Sequence, residues 1–364
     1  MMELGSSIIK QVEGHQTITP YFSEKIKVVS FFSIVMVFFI HSTFPEEPYN
    51  HLLIPVIIRK STSGMFGPCA VPMFYAISGY LFFHGIMGLH TVFDKIRRRF
   101  STLLIPFVFA ALYYPIFFII MEIIPGVGAN IDRPSYIVMI KNMAPLEILC
   151  SLFYGSSDGW PWAYHLWFMR DLLIIVFLTP FLFLIRKWLG YLVIPLILFL
   201  YLVFPKQMFL YAMFWFVSGS IVLRKLDKLP KWIVYTLFIL FIMMATYRQL
   251  FGSYLLELFN VVEISMGLIS FWCIYDYLVK NRSVFNYSNK LKKVCQFTFF
   301  LYLYHEPIFH IISKLMIKVF GTNSLGYTFA IIVPPFLIIF LGVLFGQSLK
   351  NGLPRLYALI TGGR

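Results

Sequence analysis

The chain has 364 residues, 59% of them hydrophobic and only 13% charged, with a mean hydropathy of +0.80. Soluble domains sit nearer half apolar and a quarter charged, so composition excludes a soluble globular protein and points to an all-α, polytopic membrane helix bundle. A formal net charge of +14 would suit a nucleic-acid partner, but its distribution along the chain reads as membrane orientation.

The first 25 residues are polar, and no small-residue cleavage site follows the first apolar run, so that run is expected to stay as a helix. Ten apolar spans follow in order, near 26–44, 65–88, 100–124, 165–185, 190–204, 207–223, 231–247, 255–279, 294–317 and 326–349. A crossing needs ~20 residues, which leaves 190–204 and 207–223 short. With the N-terminus inside, the inner segments carry KIRRR, RK, RKLDK and NKLKK. Outer loops 45–64 and 125–164 carry only Arg59, Lys60, Arg133 and Lys141. This positive-inside bias places both termini in the cytoplasm, as a segment 1–25 and a tail 350–364 around a transmembrane domain at 26–349. The partner it implies is a lipid bilayer, and no nucleic acid is needed.

The long outer connection contains IPGVGANIDRP and YGSSDGWPW, rich in turn residues. Trp160 and Trp162 near its end read equally as an interfacial belt or as a platform for a sugar ring. No internal repeat of the inverted-transporter kind is visible. The four cysteines, Cys69, Cys150, Cys273 and Cys295, have neither metal-ligand nor redox spacing. They read as apolar fillers, with a Cys69–Cys150 disulfide as the alternative, and no metal site is expected.

Ionisable residues inside a membrane are costly and are functional candidates by default. His41 lies 15 residues beyond the entry of the first span at Ile26, roughly 22 Å of helical rise, in the outer third of the core. Arg170 and Asp171 lie roughly 8 Å below the outer boundary of the fourth span. As sequence neighbours they point about 100° apart, so separate partners are expected for them. His305 and Glu306 lie about 17 Å into the ninth span, and Glu263 sits in the outer half of the eighth. Four helices therefore bring polar groups to similar depth, as one buried polar centre would require. Each has a plainer reading as well. Arg170 and Asp171 suit helix packing, His305 and Glu306 suit a kink at Pro307, His310 suits the interface, and His84 and His90 lie near the cytoplasmic boundary. His41 has no such excuse: no proline, glycine or charge stands beside it.

The order of short motifs resembles the acyltransferase type 3 family, bacterial membrane proteins that O-acylate surface glycans. IVMVFFIHS ends on a histidine at the position of that family's essential one. FYAISGYLF is similar to its F-x-I-S-G-F-L signature, KIRRRFSTLLIPF to its basic loop and proline entry, HLWFMRDLL to W-F-L-x-x-L, and FLYLYHEPI to Y-L-x-H-x-P. The resemblance runs from about residue 24 to 350. One departure is that the family often carries an arginine eleven residues before the helix 1 histidine, where this chain has Ser30. Lys27 is then the nearest cation and Lys25 the fallback.

The resemblance implies transfer of an acyl group, most often acetyl, from a cytoplasmic acyl-CoA to a sugar hydroxyl of a polysaccharide or lipid-linked glycan, in the bacterial cytoplasmic membrane. Arg97, Arg98 and Arg99, with Lys27, are the expected partners of the CoA phosphates. His41 would serve as general base or as a nucleophile carrying the acyl group. Arg170, Glu263, His305 and Glu306 are the candidates for orienting it or stabilising the oxyanion. The competing class is a proton-coupled transporter or flippase of a lipid-linked sugar with His41 as its proton site.

Overall fold

A computed structural model describes residues 18–42, 51–125, 135–155, 160–252, 257–280 and 288–363. The expected segment 1–17, Arg133, the SSDG stretch at 156–159 and the connection at 281–287 lie outside them. The described residues form helices and their connections, with no strand.

In chain order the helices are α1 (Pro20–His41), α2 (Leu53–Arg59), α3 (Ala70–Phe83), α4 (Leu89–Arg99) and α5 (Ile105–Ile123). Two short outer helices follow, α6 (Tyr136–Lys141) and α7 (Pro145–Tyr154). Then come α8 (Trp167–Leu189), α9 (Val193–Val203), α10 (Met208–Val222), α11 (Lys231–Phe251) and α12 (Glu257–Lys280). The chain closes with α13 (Ser288–Cys295), α14 (Thr298–Tyr304), α15 (Ile308–Phe320), α16 (Ser324–Gly352) and α17 (Pro354–Thr361).

Among the described residues, seven helical stretches are long and apolar enough to cross a membrane: Leu53–Phe83, Leu89–Ile123, Tyr164–Val203, Met208–Lys228, Lys231–Phe251, Glu257–Val279 and Ser324–Gly352. They map onto the expected spans with three physical differences. The first expected span is α1, whose inner end carries Glu24, Lys25 and Lys27. The expected spans at 165–185 and 190–204 share one helical run that reverses at Gly190, where φ is +57° and a side chain would be strained. The span expected at 294–317 is broken between α14 and α15, where Pro307 has no N–H to continue the ladder.

The second crossing begins at Leu53, well before the expected residue 65. The polar run KSTSG stays helical because Thr62 and Ser63 donate their hydroxyls back to the carbonyls of Ile58 and Arg59. The C-terminal tail is folded as well. Tyr357 and Ile360 of α17 are buried, and the Tyr304 hydroxyl donates to the Ile360 carbonyl at 3.3 Å.

The tightest helix pair is α3 with α10. A Cβ added at Gly79 would lie 1.8 Å from the Phe216 carbonyl oxygen, and one at Gly219 would lie 2.2 Å from that of Ala76. Glycine on both helices lets the backbones touch, the small-residue packing that replaces hydrophobic drive in lipid. The glycine of FYAISGYLF is thus an architectural residue. The core beneath it is aromatic: Tyr75, Phe82, Phe216 and Trp272 are all essentially inaccessible.

Candidate active site

His41 is the last residue of α1, where the unpaired carbonyls of the final turn favour positive charge. Around it gather the 3-10 turn Tyr164–Leu166, which leads into α8, and the broken segment between α14 and α15. The Tyr164 hydroxyl lies 3.2 Å from His41 Nδ1, 2.8 Å from Glu306 Oε1 and 3.5 Å from His310 Nε2. His41 Nδ1 and Glu306 Oε1 are 3.9 Å apart directly. Glu306 is fully buried, and the His41 side chain is 15% exposed.

Hydrogen-bond chemistry assigns the protons in this chain of groups. With Glu306 ionised, its carboxylate only accepts, and the single Tyr164 proton then goes to it. The phenol oxygen is then an acceptor towards His41, whose Nδ1 must be the protonated nitrogen. Nε2 is left as the basic nitrogen, and any charge it gains is answered through Tyr164 by a buried carboxylate. This is the logic of a histidine oriented by an acid, with a phenol inserted between them.

Two more histidines form the floor. The His305 ring lies tilted against His41 at 5.1 Å and edge-on to His165 at 5.0 Å, centroid to centroid. His305 Nδ1 donates to the Tyr302 carbonyl at 2.9 Å and lies 3.2 Å from that of Leu301. His165 Nε2 donates to the Leu303 carbonyl at 3.2 Å. Both rings donate to backbone, each with its second nitrogen buried and without a hydrogen bond among the described residues. Phe38, one turn before His41 on α1, closes against His305 at 4.9 Å.

One ligand atom each from His41, His305 and Glu306 lies within 4.8 Å of the others, the spacing from which a metal site can be drawn. A tetrahedral zinc with bonds of about 2.0–2.1 Å wants its donors roughly 3.3 Å apart. The three would have to close further around an ion, and the Tyr164 hydroxyl already bridges two of them.

The single polar centre expected at this depth resolves into separate ones, because equal depth says nothing of the direction in which each helix face points. His41, His305 and Glu306 come together. Glu263 does not join them: it forms a two-point ion pair with Arg248 at 2.7 and 2.8 Å, and Arg248 also donates to the Gly64 carbonyl at 2.9 Å. Arg170 does not join them either. Contrary to the expectation of separate partners, Arg170 and Asp171 pair with each other, Nε to Oδ1 at 2.9 Å. Long side chains can fold together where Cβ directions diverge. Arg170 also donates to the Phe153 carbonyl and covers the Tyr154 ring at 4.7 Å.

On α1, Lys27 is exposed and Lys25 is fully buried. Lys25 Nζ is matched by Asp227 at 2.6 Å and Asp276 at 2.7 Å, and sits 4.2 Å over the Trp272 ring. Trp272 Nε1 donates to Asp227, and the Tyr21 hydroxyl to Asp276. Two carboxylates already answer Lys25, so it clasps α1 to α12 and to the turn after α10. Arg97 and Arg98 are exposed at the end of α4, while Arg99 is half-buried against Phe100 and Phe177. All four cysteines are free, with Cys69 buried and Cys150 exposed, which removes the disulfide alternative. Trp162 is buried against Tyr136, whereas Trp160 is half-exposed and meets Trp167 edge to face.

Tyr164, His165 and His310 are the site residues that sequence reasoning missed or set aside. Tyr164 and His165 stand immediately before HLWFMRDLL and within it, but an aromatic at a membrane boundary has a ready interfacial reading. His310 follows Glu306 by four residues, one helical turn, and that spacing was the available signal.

A sequence profile for the acyltransferase domain matches residues 25–346. The succinoglycan biosynthesis protein ExoH of Rhizobium meliloti is 22% identical over 306 residues, covering 81% of this chain and 79% of that protein. No solved structure matches. With the fold, the ordered motifs and a match over nearly the whole chain together, the chain belongs to the acyltransferase type 3 family.

Proposed function

We propose that the chain transfers an acyl group, acetyl in the first instance, from a cytoplasmic acyl-CoA to a sugar hydroxyl of a surface polysaccharide or its lipid-linked precursor, in a bacterial cytoplasmic membrane. The observation that carries this reading is the Glu306–Tyr164–His41 relay, which leaves His41 Nε2 as a base in a site sheltered from water. Family membership supports an acyltransferase, and the relative named for succinoglycan biosynthesis supports a polysaccharide acceptor.

In this reading His41 Nε2 takes the proton of the sugar hydroxyl as the oxygen attacks the thioester carbonyl. The C–S bond breaks, and the CoA thiolate receives the proton from Nε2, giving the sugar ester and free CoA thiol. Glu306, through Tyr164, stabilises the imidazolium while it lasts. Arg97 and Arg98 at the basic end of α4 are the groups for the donor phosphates, with Arg99 next in the chain and Lys27 at the inner end of α1 as further cations.

The test uses membranes holding the native chain or His41→Ala at matched levels, with acetyl-CoA labelled in the acetyl group and an envelope glycan fraction. Label is expected on glycan only with the native chain. Equal transfer by both proteins would remove His41 from the chemistry.

A further inference from the structure

A second polar centre stands at the outer end of the bundle and takes no part in the relay. It is a cleft of about 240 Å³ between the end of α7, the start of α8 and the turn joining α9 to α10. A water needs only ~10–15 Å³ by the same kind of measure, so the space suits a ligand the size of a sugar ring. Trp160 and Trp167 meet at its wall with centroids 5.7 Å apart, and Tyr154 lies beside them under the Arg170 guanidinium. Arg170, Asp171 and Lys206 supply its charge.

Three features separate this cleft from an interfacial belt. A belt turns its rings to the headgroups, whereas these rings line a concavity together with charged groups. Asp171 is only 2% exposed and its Oδ1 accepts from Arg170 Nε at 2.9 Å, which fixes the guanidinium in the wall of the cleft. Finally, two cations face one carboxylate, so the lining holds one positive charge in excess, and Lys206 carries it at the exposed mouth.

A sugar ring presents an apolar face of C–H groups, which suits an aromatic wall, and hydroxyls at its edge, which need precise polar partners. We propose that this cleft is the acceptor subsite and that it selects a sugar unit bearing an anionic group, a carboxylate or a phosphate. The ring rests on Trp160 and Trp167, and Lys206 at the mouth holds the anion, with the Arg170 guanidinium adding its charge from the wall. Trp167 follows Tyr164 by three residues, so the same short segment that completes the relay also lines the cleft. The assignment rests on the acyl-transfer reading for what the bound sugar is there to do.

Binding without any donor separates the two. The full-length chain in lipid nanodiscs would be titrated calorimetrically with a glucuronic acid tetrasaccharide, neutral cellotetraose and glucose 1-phosphate. One charge-assisted contact predicts about tenfold tighter binding of the glucuronide than of cellotetraose. Lys206→Gln, at an exposed position, should remove that preference and leave cellotetraose unchanged, while Trp167→Leu should weaken both. Preference for glucose 1-phosphate, lost in the same variant, would identify the anion as the phosphate of a lipid-linked sugar. Equal binding of charged and neutral probes, a preference that survives Lys206→Gln, or no binding of any probe by protein that still acylates glycan would each overturn the assignment. Retained binding with no acyl transfer to any glycan would instead sink the acyl-transfer reading alone.

Discussion

At the scale of single residues, the relay makes graded demands. Tyr164→Phe removes the bridging hydroxyl but leaves His41 and Glu306 3.9 Å apart, so a direct contact can partly replace it. Glu306→Gln removes the charge that answers the imidazolium. The expected order of loss in kcat is therefore Tyr164→Phe, about tenfold to a hundredfold, then Glu306→Gln, about 10²–10⁴-fold. Measured on labelled acetyl transfer with the affinity for acetyl-CoA followed in parallel, both should lower kcat and spare donor binding. Full activity in Glu306→Gln would break the relay. His41 was legible in the sequence because nothing in its own helix explains it, and His305 and Glu306 because of their depth. Tyr164 was not legible. Its role depends on a proton count among groups from three separate segments, and no spacing along one helix encodes that.

Lys25 shows the opposite kind of residue. A cation near the inner end of α1 invites assignment to the donor phosphates, yet its ammonium is fully buried between Asp227 and Asp276. Removing one member of a buried ion pair strands the other, at about 3–5 kcal/mol. Lys25→Ala should therefore lower the thermal unfolding temperature in detergent markedly, and an Asp276→Asn change made with it should recover part of the loss. A lysine that served only the donor would raise the KM for acyl-CoA and leave unfolding untouched.

At the scale of elements, the α3–α10 contact is where the fold tolerates least. Alanine at Gly79 would place its Cβ against a backbone carbonyl, and backbone cannot swing aside as a side chain can. Overpacking of this kind typically costs about 1–3 kcal/mol, whereas Gly352, with nothing within 4 Å of an added Cβ, should accept alanine with little change. Thermal unfolding of Gly79→Ala and Gly352→Ala side by side checks this, and equal effects would show that the helices part easily. Most elements could be read from hydropathy alone because each is a long apolar run. The breaks were harder. Pro307 marked one plainly, but the Gly190 reversal needs a positive φ that many glycines never adopt, and the helical KSTSG run depends on hydroxyls bonding back to their own helix.

At the scale of the whole molecule, the question is how α9 and α10 sit. Val193–Val203 has 11 residues, about 16 Å of rise, against a core of ~30 Å. Length alone argues against a crossing, but the contacts argue for one. Lys225, just past α10, reaches the Tyr191 hydroxyl just before α9, so these two ends are neighbours. At the other end Tyr201 donates to Glu257 at the start of α12, the end that the charge pattern assigns to the outside. The two helices are thus an antiparallel hairpin with Lys206 in its turn and the basic run RKLDK at its open end. Positive-inside orientation then puts Lys225 in the cytoplasm and Lys206 outside. In a Cys150→Ser background the three remaining native thiols are buried, so a cysteine introduced at either position reports its own side. Lys206→Cys should react with a membrane-impermeant maleimide on intact spheroplasts, and Lys225→Cys only after permeabilisation. Labelling of both from the cytoplasmic side would turn the hairpin into a re-entrant pair; two crossings would become none, so every later helix would keep its orientation, but the cleft beside Lys206 would lose its access to an external acceptor.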